Sequence, residues 1–209
     1  MTFFDQTEPD FSLHIFGEET LVDYRGKRWA IPSRLINYLL QYNDYPAKMI
    51  PSGLVAHGIR HNREIWFYHQ KPVICPIRLY LSQPRSFDFS WPDLLFVLMK
   101  IRDGKIGHFM RVFTFQGPLH AKTVLRLPPL PNISSTGTIC MGNIQVATTD
   151  PAEFVAQAFF KTAFTHMSLH FEHIKEPITD YLFGVRKTGW RFDDLPAFAT
   201  LEELIEEKQ

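Results

Sequence analysis

The period of the apolar positions changes several times along the chain. Residues 11 to 16 and 20 to 31 alternate apolar and polar as short strands do, with Tyr24-Arg25-Gly26-Lys27 as a hairpin turn between them. Ser33 then stands as a cap before Leu35, Ile36, Leu39 and Leu40, whose spacing predicts a helix. Pro46 and Pro51 make 43 to 52 a loop. From 53 to 126 the pattern reads as strands: Leu54 to Ile59 and Glu64 to His69 flank Arg60-His61-Asn62-Arg63, and Val73 to Leu81 follows. Pro92-Asp93 introduces the apolar run Leu94-Leu95-Phe96-Val97-Leu98-Met99. Asp103-Gly104 is a tight-turn signal that returns Lys105 to Phe115 onto that run. The prediction is an antiparallel meander of about four strands with buried faces rich in Phe and Leu.

Proline takes over at Leu127-Pro128-Pro129-Leu130-Pro131, which lacks the donors of a central ladder and should run extended outside one. It leads into Asn132-Ile133-Ser134-Ser135-Thr136-Gly137-Thr138-Ile139-Cys140, where Gly137 permits a turn. Asp150-Pro151-Ala152-Glu153 is a helix start, with Asp150 as cap, Pro151 at the first helical position and Glu153 completing a capping box. Phe154, Val155, Ala158 and Phe159 form its predicted buried stripe. Leu201 to Lys208 reads as a short, acidic, peripheral helix. The expected organisation is an N-terminal extension over 1–52, an α+β domain over 53–200 and an acidic tail over 201–209.

A length of 209 residues, with 45% hydrophobic and 21% charged residues, suits one globular domain with an extension. The 22 basic residues balance 22 acidic ones, so nothing in the global charge favours nucleic acid. No apolar run reaches the roughly 18 residues that span a bilayer, and Met1-Thr2-Phe3-Phe4-Asp5-Gln6 lacks the flanks of a secretory signal. A cytoplasmic protein is expected. In that reducing compartment Cys75 and Cys140, 65 positions apart and without a paired motif, are expected to be free thiols. No phosphate-binding glycine loop is present, so the chain is not expected to bind ATP, and no cofactor is implied.

Cys75, in Val73-Ile74-Cys75-Pro76, reads as a core residue. Cys140 stands in a different setting, eight positions after Asn132 on a proline-restrained approach. A thiolate is a strong nucleophile, although a thiol with a pKa of about 8.5 is only slightly ionised at neutral pH. Were Cys140 to hold an acyl group as a thioester, amine attack would create an oxyanion. A side-chain amide directed at that oxygen is worth roughly 10²–10³ in rate, and Asn132 is the candidate. No basic residue lies within the loop itself, which fits exchange with an already activated thioester rather than attack on amides. The alternative from the residues alone is a buried structural cysteine beside an ordinary turn.

The segment Leu130 to Ile144 closely resembles the active-site loop of ubiquitin-conjugating enzymes. Their pattern is His-Pro-Asn, a loop with glycine, an apolar residue and the catalytic cysteine. Asn132 to Cys140 keeps that spacing without a gap, with Gly137, Ile139 and Met141 at the family's glycine and apolar positions. Over roughly 50 to 170 the chain resembles prokaryotic ubiquitin-conjugating family D, a family represented in the PRTRC (ParB-related, ThiF-related) cassette. Pro92-Asp93-Leu94-Leu95-Phe96-Val97, the Pro128 to Asn143 block and Phe159-Phe160…Phe164-Thr165-His166 carry this.

The resemblance implies a ubiquitin-conjugating (UBC)-like fold, a four-stranded antiparallel meander with flanking helices. It implies that Cys140 accepts a ubiquitin-like protein from a ThiF-type activating enzyme, that Asn132 stabilises the oxyanion and that His166 assists. The implied partners are that enzyme, the ubiquitin-like protein, a JAB-type deconjugating peptidase and a protein substrate with a lysine. The chain departs from the pattern in places. Leu130 replaces the histidine of the triplet, and Gly142-Asn143 stand where an aspartate follows the cysteine. The long C-terminal helices have no clear counterpart, and about fifty N-terminal residues are extra.

Other readings remain open beside this one. A UBC-fold adaptor would bind a ubiquitin-like protein or an activating enzyme without receiving the acyl group, within a plasmid-maintenance or antiphage cassette. A partition component touching DNA is disfavoured by the balanced charge. His166, His170 and His173 share one predicted helix face with Glu172 and Glu176 nearby, but there is no His-Glu-x-x-His pattern. They read as polar-face residues, and no metal is expected. Trp66-Phe67-Tyr68 reads as half core and half surface rather than a base-stacking platform.

Overall fold

The run Leu94 to Met99 is apolar at every position because the strand that carries it is covered on both faces. Leu94, Phe96 and Leu98 face one hydrophobic core and Leu95 and Val97 a second. Such double burial produces a continuous apolar run where a half-exposed strand would alternate. The structure, a computed structural model, describes residues 11–16, 19–24, 27–32, 53–60, 63–80, 84–101, 108–142, 151–165 and 174–206.

In chain order the elements are β1 (Phe11–Phe16), β2 (Glu19–Tyr24), β3 (Lys27–Pro32), β4 (Leu54–Arg60), β5 (Arg63–Gln70), β6 (Val73–Tyr80) and β7 (Pro84–Trp91). After them come β8 (Leu94–Ile101), β9 (His108–Thr114), β10 (Val124–Arg126), α1 (Pro151–Ala158) and β11 (Ala163–Phe164). The chain closes with α2 (Ile178–Thr188), β12 (Ala197–Thr200) and α3 (Leu201–Glu206). Among the described residues the main sheet has nine strands in the order β12-β10-β9-β8-β5-β4-β1-β2-β3, all antiparallel. A second sheet runs β11-β6-β7, with β11 parallel to β6. The chain is thus α+β, with antiparallel sheet dominant and few helices.

The sheet is wider than the four strands the pattern predicts. β4, β5, β8 and β9 are indeed consecutive neighbours, but β1 continues the sheet beyond β4, and β10 and β12 continue it beyond β9. The predicted strand Val73 to Leu81 leaves the main sheet and pairs with β7, a strand the pattern reading missed. Pro76 gives a reason, since a residue without an N–H is poorly placed in a central strand. On the other side of β6, β11 pairs only with Arg78 and Leu79. The helix expected after Ser33 lies outside the described residues.

The first core sits between one face of the main sheet (Tyr68, Phe96, Leu98, Met110, Val112) and the layer of small sheet and helices (Phe89, Trp91, Phe154, Val155, Tyr181, Leu182). Phe154, Val155, Ala158 and Phe159 are buried, as the stripe on α1 predicts. Phe67 and Tyr68 are buried in opposite cores, and Trp66 is half-buried against the same core as Tyr68, so the Trp66-Phe67-Tyr68 triplet contributes to both cores and retains a partly exposed face only at Trp66. The second core is closed by the C-terminus. Leu201 and Leu204 of α3 are buried in it with Phe113, Phe115 and Leu125, so this helix is not peripheral. Among the described residues no helix is long and apolar enough to cross a membrane.

Thr200 and Glu203 form a capping box at the start of α3. Thr200 N–H donates to Glu203 Oε2 at 2.7 Å, and Glu203 N–H to Thr200 Oγ1 at 3.3 Å. The bonds from the Thr200 backbone and hydroxyl hold the Glu203 carboxyl below its ordinary range. A depressed carboxylate contributes stability that is present above the unfolded pKa, about 4.3, and is lost as pH falls through the lower folded value. Acidification is therefore expected to lower the protection factors, taken relative to the intrinsic exchange rate at each pH, of the Leu201 and Glu202 amides, which bond Thr123 O and Ala121 O. Glu203→Gln should flatten that acid dependence.

Candidate active site around Cys140

Proline fixes how the chain reaches the loop. Pro128, Pro129, Leu130 and Pro131 are all buried, and Leu130 N–H closes a tight turn onto Pro128 O at 2.8 Å. At the next corner Asn132 has φ +63°, the sole positive value at a non-glycine residue among those described. Asparagine tolerates this left-handed region better than most side chains.

Its carboxamide then does what glycine could not. Nδ2 donates to Ala163 O at 3.1 Å, while Oδ1 accepts from Thr165 N–H at 3.0 Å and Thr165 Oγ1–H at 3.3 Å. Asn132's own backbone carbonyl accepts from Cys140 N–H at 2.7 Å. One residue thus ties the start of the loop to its end and to the chain around β11.

Between these points the loop is a small hairpin laid on β9. Ile133 bridges Ile139, and both side chains enter the first core. Ser134 N–H bonds Thr138 O and Gly137 N–H bonds Ser134 O, each at 2.9 Å. Ser134 Oγ accepts from Thr138 N–H at 3.1 Å. Val112 N–H to Gly137 O and Ile139 N–H to Met110 O, both 2.9 Å, stitch the loop to β9. Gly137 sits at φ +81°, and a Cβ there would lie 2.8 Å from the Phe113 ring. With Ile139 turned inward, the alternation of the chain turns Cys140 outward, where it is exposed.

The two thiols are therefore unlike. Cys75 is half-buried against the first core, and burial, helped by the Asp88 carboxylate, pushes its thiol above the usual range. Cys140 is exposed at the mouth of a bonded loop.

The Asn132 carboxamide is turned toward Ala163 and Thr165, and it is the backbone carbonyl that meets the Cys140 amide. His166, His170, His173 and Glu172 lie outside the described residues, as does Asn143. His166 follows directly on Thr165, the residue bonded to Asn132. Glu176 bonds Arg191 at 2.8 Å. Among the described residues no three His, Cys, Asp or Glu side chains gather as a metal site. Two contributors went unread: Thr165, part of the Phe164-Thr165-His166 segment but given no role of its own, and Arg111, a lone charge inside the apolar stretch Phe109 to Phe115. Arg111 Nε–H donates to Thr136 O at 2.8 Å.

Residues 33–190, well over half of the chain, match the family described as prokaryotic E2 family D, and the chain belongs to that family. At family level it is a ubiquitin-conjugating-like protein. No curated protein and no solved structure matches it.

Gly137→Ala tests the loop geometry, since it adds a methyl group against Phe113 and forces alanine into a left-handed backbone. Overpacking typically costs about 1–3 kcal/mol. A loss in that range is expected in chemical denaturation, whereas Gly142→Ala, with nothing near its Cβ, should lose less.

Proposed function

We propose that this member of prokaryotic E2 family D carries a ubiquitin-like protein as a thioester on Cys140 and passes it to an amine. One observation supports this above the others: Cys140 is exposed at the end of a loop whose two limbs are joined by Asn132. In the first step the Cys140 thiolate attacks the C-terminal thioester of the activated ubiquitin-like protein. A new S–C bond forms and the thiol of the ThiF-type activating enzyme leaves. In the second step a neutral lysine amine attacks the carbonyl, the oxyanion collapses, and the Cys140 thiolate departs as the amide forms.

Asn132 has two roles in this reading. Its clamp orders the loop, and its Nδ2 donor edge would meet the oxyanion during attack. A lysine of pKa about 10.4 must lose a proton before it reacts. His166, one residue past Thr165 in sequence, is the proposed acceptor of that proton. The JAB-type peptidase would reverse the conjugation. The expected setting is a cytoplasmic plasmid-maintenance or antiphage cassette encoding the activating enzyme and the ubiquitin-like protein.

A second reading, the non-catalytic adaptor, draws support from the engagement of the Asn132 carboxamide with Ala163 and Thr165. Incubation with the activating enzyme, the ubiquitin-like protein and ATP separates the two. The carrier reading expects a thiol-reducible adduct that Cys140→Ala abolishes and that Cys140→Lys converts to a reductant-resistant amide. An adduct that survives in Cys140→Ala, or none in the unaltered protein, contradicts it. His166→Gln should leave adduct formation intact and slow discharge to lysine by roughly 10²–10⁴, most at neutral pH.

A further inference from the structure

We infer that Arg111, packed against the paired rings of Phe113 and Phe198, is a positioning residue for the Cys140 loop, so that the C-terminal strand β12 forms part of the site's support. Its effect on turnover rests on the carrier reading above; its effect on the loop does not.

Arg111 is 4% exposed, although it carries a charge and stands on a strand. A guanidinium is tolerated in such a place only when its donors are met and its planar faces are packed. Its Nε–H meets the Thr136 carbonyl at 2.8 Å. Its Cζ lies 5.1 Å from the centroid of the Phe113 ring and 5.1 Å from that of Phe198. The two rings are themselves 4.9 Å apart, tilted by 35°. Arg111 is also the β9 residue bridged to Thr138. The same side chain thus grips the outer limb of the loop at Thr136, where Asn132 grips the inner limb at Cys140.

Phe198 belongs to β12, which begins after residue 190, where the family match ends. The strand is held against β10 by pairing from Val124↔Thr200 to Arg126↔Ala197. Arg126 Nη1 donates to Leu195 O at 2.6 Å, and Leu127 N–H bonds Pro196 O at 3.1 Å. The C-terminal segment therefore provides one of the two rings against which Arg111 packs. The contact needs an aromatic face on one side and a planar Nε–H donor on the other. Leucine at 198 would keep apolar bulk and lose the face. Lysine at 111 would keep the charge and lose both the planar stack and the Nε–H.

The test uses Phe198→Leu, Phe198→Tyr and Arg111→Lys in the full chain, read by hydrogen exchange at single amides and by adduct formation. Phe198→Leu and Arg111→Lys should speed exchange at Gly137, Ile139 and Cys140 by about tenfold or more, with the β5 amides unchanged. The maximal rate of adduct formation should fall between about 10- and 100-fold, with the half-saturating concentration of activating enzyme preserved. Phe198→Tyr, which keeps the ring, should restore both. Loop amides that stay protected in Phe198→Leu and Arg111→Lys overturn the inference, and so does a uniform loss of protection across β5, β8 and β9. If the unaltered protein forms no adduct, the carrier reading fails while the exchange measurement still decides the role of Arg111.

Discussion

A single asparagine in a left-handed backbone conformation is the constraint on which the site depends. At φ +63° Asn132 turns the chain out of the proline run, and its carbonyl receives the amide of Cys140. Glycine would meet the backbone demand more easily but would leave Ala163 O and Thr165 N–H without their bonds to the carboxamide. Aspartate would keep the acceptor, lose the donor to Ala163 and place a charge at a buried site. The carboxamide is the one group of that size that both donates and accepts, which the two-sided clamp requires.

The clamp works only because its far end is also fixed. Ala163 and Phe164 form β11 beside Arg78 and Leu79 of β6, and Phe164 is buried. Phe164 lies 5.7 Å from Phe159 and 6.3 Å from Trp91, centroid to centroid. Phe159 in turn packs edge-on against Phe96, at 5.0 Å. Edge-to-face aromatic contacts add about 0.5–1.5 kcal/mol each beyond the area they bury, so the end of α1, the small sheet and β8 form one rigid block. The loop hangs from that block through Asn132 and from β9 through Ile139, Val112 and Arg111. Exposure of Cys140 follows from this frame: its neighbour Ile139 is drawn into the core and the thiol is left outside.

Much of this was legible in the chain, and the gaps have physical reasons. Local patterns did well. The doubly buried run at Leu94 to Met99, the stripe on α1 and the Asn132–Cys140 spacing needed only neighbours in sequence. Sheet membership did not follow, because alternation shows that Val73 to Tyr80 is extended without saying which strand it joins. β7 has a period-two signal in Phe87, Phe89 and Trp91, but Pro84-Arg85-Ser86 blurs its start. The tail looked peripheral because four of its residues from Leu201 to Lys208 are glutamates, while Leu201 and Leu204, one helical turn apart, are what decides its burial. Thr165 and Phe198 are tied to the loop across 33 and 87 positions from Asn132 and Arg111, and no local pattern reaches so far.

The central claim is that this frame offers the sulfur of Cys140 to solvent and holds back that of Cys75. The rate at which each thiol of the native protein is alkylated by iodoacetamide, followed by peptide mass spectrometry, tests it most directly. Cys140 should react first, and Cys75, half-buried with its thiol pushed up by burial, should become comparably reactive only when denaturant unfolds the chain. Native protein in which Cys75 is modified first, or in which Cys140 stays unreacted until unfolding, would contradict the account.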